Sequence, residues 1–139
     1  MIPIMNRIWL LLTTQLHLAT LFVPPECTES HFDIYPPVII VSTVASSLWH
    51  LTGEQVPWIT SLDMTFALAW FLLDMTYAYA FHTWMVFVQV LYLNCAVGII
   101  HITLETYKQQ NIHAYIINHS LWHLLSAAKC LAVASLLRC

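Results

Sequence analysis

Long apolar runs alternate along this chain with short joints made of proline, glycine and polar residues. A helix needs roughly 20 mostly apolar residues to cross a hydrocarbon layer about 30 Å thick. Five stretches fit that description. The first is Ile2–Val23, stopped by Pro24-Pro25. The second, Ile34–Leu51, opens around Pro36-Pro37 and stops at Thr52-Gly53. A linker from Gly53 to Pro57 leads into the third, about Trp58–Thr76, whose end is marked only by Asp74 and the Tyr77–Tyr79 stretch. The fourth runs from about Tyr79 to Leu104. Polar residues Glu105–Asn111 form a loop, and Ile112–Leu137 is the fifth. The runs are continuous and lack the alternation of a membrane barrel. The pattern predicts one all-α domain over 1–139, an integral membrane helical bundle of about five transmembrane helices. The first run could instead be a secretory signal with Arg7 as its charged flank. Thr13, Thr14, Gln15 and His17 interrupt it and no small-residue cleavage site stands out, so it is read as a helix.

Composition strengthens this reading. Of 139 residues, 60% are hydrophobic and 8% carry a formal charge, against about 25% charged in ordinary soluble domains. Four basic residues in a chain of net charge −3 make no phosphate-binding surface, which excludes nucleic acid as a partner. The bilayer is the expected surrounding.

Five crossings place the N-terminus, the 52–57 linker and the 105–111 loop on one side, with the 24–33 loop, the Asp74 region and the C-terminus on the other. Arg7 and Lys108 lie on the first side, while Glu26, Glu29 and Asp33 crowd the 24–33 loop; the positive-inside rule leans slightly toward a cytosolic or matrix first side. Cys27 and Cys139 share the far side, where an oxidising compartment would allow them to pair. Cys95 and Cys130 fall within helices as buried thiols.

Eight histidines are many for a membrane chain of this size, because ionisable groups are costly in lipid and mark function there. His119 and His123, four apart on one helix, share a face about 6 Å apart along the axis. His50 ends the second helix with Ser46 one turn before it, and Asp63 lies near the start of the third. The topology puts all of these at similar depth near one membrane face. Three imidazoles with one open position suit catalytic zinc. His101 lies at the same end and could replace a ligand or bond Asp63. Asp74 and Glu105 read as helix-end charges, and Tyr77, Tyr79, Phe81 and Trp84 as interfacial.

The pattern Ser46-x-x-x-His50, Asp63 and His119-x-x-x-His123 resembles the signature of the CREST superfamily of membrane hydrolases and receptors, which includes alkaline ceramidases and adiponectin-type receptors. Ser47-Leu48-Trp49-His50 and Asn118-His119-Ser120-Leu121-Trp122-His123 are also similar to ceramidase-like members. The resemblance covers roughly residues 42–126. It implies zinc ligands at His50, His119 and His123, with Ser46 and Asp63 as catalytic groups acting on a lipid amide or ester. The family fold has seven helices, so this chain would be a shortened form lacking one antiparallel pair between Asp63 and His119. Two other classes stand beside this one. A haem could be held between two of His17, His50, His82, His101 and His123, or the chain could be a non-catalytic membrane subunit of a larger assembly, its polar groups facing partner helices.

Overall fold

The computed structural model describes residues 2–23, 34–105 and 111–137, and every regular element among them is helical. The order is α1 (Ile4–Thr14), continued by a 3-10 helix (Gln15–Phe22), then α2 (Tyr35–Leu51), α3 (Pro57–Phe81), α4 (Trp84–Glu105) and α5 (Ile112–Leu136). The residues of the Cys27–Cys139 pairing, and Lys108 with the acidic 24–33 loop, lie outside the described residues.

Local chemistry explains the boundaries. Prolines occupy the first turns of α2 and α3, where a missing N–H leaves no hydrogen bond unmade. Asn111 caps α5, its side-chain oxygen accepting from the backbone N–H groups of His113 at 3.0 Å and Ala114 at 3.2 Å. The chain breaks between α3 and α4 at His82, which is extended, and Thr83 then accepts from the first backbone N–H groups of α4.

That break corrects the expected one. Asp74 does not end a helix; it sits fully buried inside α3. The Tyr35 hydroxyl donates to it, as do the Asn94 amide at 3.3 Å and the Lys129 ammonium at 3.4 Å. A carboxylate with three donors from three other helices can remain inside. Tyr77 is likewise buried against Tyr35 rather than interfacial. Tyr79, Phe81 and Trp84 are exposed, as are Trp9 and Trp58, while Cys95 is exposed where burial was expected.

Each helix packs on its neighbour in sequence, and α5 returns to pack on α1 and the 3-10 segment, closing a ring. One end of the ring gathers the start of α1, the end of α2 and the starts of α3 and α5. There Arg7 donates to the carbonyls of Ile2 at 2.7 Å and Leu51 at 3.3 Å, a cation on the carbonyl end of α2. Ile2, Leu10, Tyr115 and Ile116 pack beside it.

The distribution of polarity is inverted relative to a water-soluble bundle. His50, Asp74 and His123 are 0% exposed, while Ile99 and Ile102 on α4 are 65% and 70% exposed. On α5 the buried stripe contains His119, Ser120, His123 and Ser126, and the outer face carries Ile117, Leu121, Leu124 and Leu125. Two of the described helices, Pro57–Phe81 and Trp84–Thr103, are long and apolar enough to cross a membrane.

Candidate metal centre

Three imidazoles converge where α2 ends and α5 begins. The four-residue spacing on α5 turns His119 and His123 to the same inner face, and the last turn of α2 brings His50 against them. All three are buried, and one ligand atom from each lies within 4.8 Å of the others. Their ring centroids are 4.8 Å (His119–His123), 5.1 Å (His50–His123) and 5.2 Å (His50–His119) apart, with the planes nearly perpendicular. Three buried histidines so placed can hold a metal ion.

The closest contact is between His50 Nε2 and His123 Nε2, at 2.9 Å. Two nitrogen lone pairs cannot face one another at that separation; a proton or a cation must lie between them. Tetrahedral zinc with ligands at 2.0–2.1 Å holds neighbouring nitrogens about 3.4 Å apart, so a small outward shift of either ring would admit the ion. Thr14 Oγ1 stands 3.1 Å from the same His123 nitrogen, while His123 Nδ1 is buried with no hydrogen-bond partner among the described residues.

A carboxylate that sequence reasoning missed fixes His50. Glu54, read only as part of a linker, folds back so that its Oε1 lies 2.9 Å from His50 Nδ1, with both side chains fully buried. Tyr115 donates to the other oxygen at 2.8 Å. A carboxylate on Nδ1 fixes the proton there and leaves the Nε2 lone pair free to bind a cation, the usual arrangement behind a metal-bound imidazole. Glu54 reaches this place by adopting φ 62°, directly after Gly53 at φ 69°. A left-handed glutamate costs about 1–2 kcal/mol. The signal available in the sequence was its position four residues after His50, one helical turn on.

Aromatic rings close the remaining sides. Trp49, Tyr115 and Trp122 have ring centroids 5.8, 5.1 and 5.4 Å from that of His119. His101 packs on Trp122 at 4.5 Å and on His119 at 5.8 Å; it stands beside the three-histidine group without belonging to it. His17, on the 3-10 segment, points one ring nitrogen at the Thr14 carbonyl and packs edge-on against His123.

Ser46 and Asp63 occupy the wall of an adjoining cavity of about 220 Å³ lined by residues of all five helical segments. Ser46 and Asp63 share this wall, and His50 and Glu54 act on the Asp63 carboxylate electrostatically. Of the five residues singled out in the sequence, His50, His119 and His123 come together as one buried group that could hold a metal ion, and Ser46 and Asp63 line the adjoining cavity. Comparison with protein-family models, curated proteins and solved structures gives no match.

Proposed function

We propose that this chain is a multi-pass membrane protein that binds zinc through His50, His119 and His123 and hydrolyses a lipid amide or ester. The observation carrying this reading is the burial of three imidazoles within one coordination radius, beside a cavity whose wall presents Ser46 and Asp63. The inverted polarity of the bundle supports placing it in a bilayer, because lipid is the only solvent in which an outer face of Ile99, Ile102 and Leu121 costs nothing. The resemblance to CREST hydrolases supports the same ligand set.

The donor set fits zinc: three buried imidazole nitrogens, one of them anchored by a carboxylate. When bound there, zinc supplies Lewis acidity, polarising a carbonyl and making water easier to deprotonate. Asp63 acts as the general base, taking a proton from the attacking water and returning it to the leaving amine or alcohol. A C–O bond forms and the C–N or ester C–O bond breaks, so no further reactant is needed. Ser46 holds the Asp63 carboxylate in place. The apolar cavity walls, including Trp49, Met64, Phe71 and Trp122, receive the acyl chain and keep bulk water away. The 2.9 Å approach of His50 and His123 leaves no space for a porphyrin between that pair.

The test is turnover. Protein reconstituted in lipid vesicles and loaded with zinc should release fatty acid from a panel of long-chain N-acyl amides or esters, and chelation should stop it. A zinc-loaded protein that cleaves none of them would support the alternative of a non-catalytic subunit.

A further inference from the structure

The cavity and the three-histidine group adjoin without meeting. Among the described residues, Thr14, His17, Ser46, Trp49 and Trp122 line the cavity, but none of His50, His119 and His123 does. Those three are 0%, 1% and 0% exposed. A molecule in the cavity reaches their nitrogens only if part of the partition moves. Trp49 and Trp122 stand on the regular helices α2 and α5. The first segment differs in kind.

There the chain leaves α-helical geometry at Gln15 and runs as a 3-10 helix to Phe22, eight residues in all, whereas such runs seldom exceed roughly three or four. With about three residues per turn, positions three apart lie directly above one another, and Thr14, His17 and Thr20 form a single buried row. Thr14 Oγ1 is 3.1 Å from His123 Nε2, and the His17 ring packs edge-on against that of His123 with centroids 5.8 Å apart. The row is lightly tied. His17 turns one ring nitrogen back to the Thr14 carbonyl of its own segment, and the Thr20 hydroxyl is buried without a partner among the described residues. An α-helix turns about 100° per residue and rises about 1.5 Å, against about 120° and 2.0 Å in a 3-10 helix. Relaxation to α geometry would therefore swing His17 by about 60° relative to Thr14, off the face of His123. Over the eight residues it would shorten the segment by about 4 Å.

Resting on the metal-centre reading, we propose that the Gln15–Phe22 segment is a gate between cavity and metal centre. As a 3-10 helix it holds His17 in the partition, and on relaxing toward α-helix it opens the three-histidine group to the cavity.

Access can be read without turnover on the full chain loaded with cobalt, whose visible absorption changes when a metal-binding probe arrives. The probe is octanoyl hydroxamic acid, mixed rapidly with protein in detergent micelles. In wild type the rate should level off as probe concentration rises, because opening limits it. His17→Ala, with cobalt still bound, should give a rate about tenfold higher or more that rises in proportion to probe, since the site no longer waits for the open fraction. Spin labels at Leu12→Cys and Phe22→Cys, both on exposed positions in a chain whose own cysteines are replaced by alanine, should approach by about 4 Å when the probe binds. A wild-type rate proportional to probe and within twofold of His17→Ala, a plateau that persists in His17→Ala, or an unchanged label distance overturns the gate. Cobalt content separates the two readings: cobalt bound with any of those results removes the gate alone, whereas a chain that takes up no cobalt removes the metal centre and the gate together.

Discussion

Replacing Glu54 with glutamine removes one negative charge behind the proposed ligand His50 while keeping shape and length. The glutamine oxygen can still accept from His50 Nδ1, now at 2.9 Å from the carboxylate, and its amide can turn to Tyr115, now at 2.8 Å. What disappears is the charge assistance. A hydrogen bond to a charged group contributes about 1.5–3 kcal/mol and a neutral one about 0.5–1.5 kcal/mol, so the loss is about 1–1.5 kcal/mol, or roughly tenfold in zinc affinity. Alanine removes both hydrogen bonds and should reach the ~100-fold end of the range seen when a partner behind a metal ligand is lost. Glycine loses the same bonds but relieves the left-handed backbone at φ 62°, so Glu54→Gly should be more stable than Glu54→Ala with equally weak zinc binding. The assay is competition with a chromophoric chelator in detergent micelles at fixed pH, alongside thermal unfolding. If glutamine and alanine both bind zinc within twofold of wild type, Glu54 does not orient a ligand and the centre is wrongly built.

Asp63→Asn should keep about one zinc per chain and lose roughly 10²–10⁴-fold in turnover, since the ligands stay and the base goes; undiminished hydrolysis would make Asp63 structural. Gly53→Ala should destabilise by about 1–2 kcal/mol, because its Cβ would meet Arg7 Cζ at 2.8 Å at φ 69°; in an Arg7→Ala background the steric share of that loss should vanish from the melting curve. Lys129→Met alone should cost about 3–5 kcal/mol, as it leaves Asp74 buried without its cation, and adding Asp74→Asn should recover most of it; equal melting temperatures for the single and double variants would argue against the pair.

The sequence made legible what repeats locally. Continuous apolar runs gave five helical segments, and the spacing of His119 and His123 placed two imidazoles on one inner face. Parity of the helices brought His50 and Asp63 to the same end. Features that depend on distant partners were not readable. Asp74 resembles an interfacial charge until Lys129, 55 residues later, is known to neutralise it, and so the end of α3 was expected several residues early. Tyr77 followed the same error, because its burial requires Tyr35 from another helix. Glu54 was hidden by its place among Gly53 and Pro57, where a turn residue is usually solvated. The passage of the first segment from α-helix to 3-10 helix at Gln15 coincides with the polar Thr13–His17 stretch noticed in the sequence, but the hydrogen bond from Gln15 to Ser47 at 2.8 Å and that between Thr14 and His123 come from packing alone.

The most direct test of the metal centre is the zinc content of the purified chain, measured by plasma mass spectrometry on wild type, His123→Ala and His113→Ala after zinc loading and removal of excess. His113 is exposed on α5 and outside the ligand group. About one zinc per chain in wild type and His113→Ala, with next to none in His123→Ala, is the expected result. A full complement of zinc in His123→Ala, or none in wild type, would contradict it.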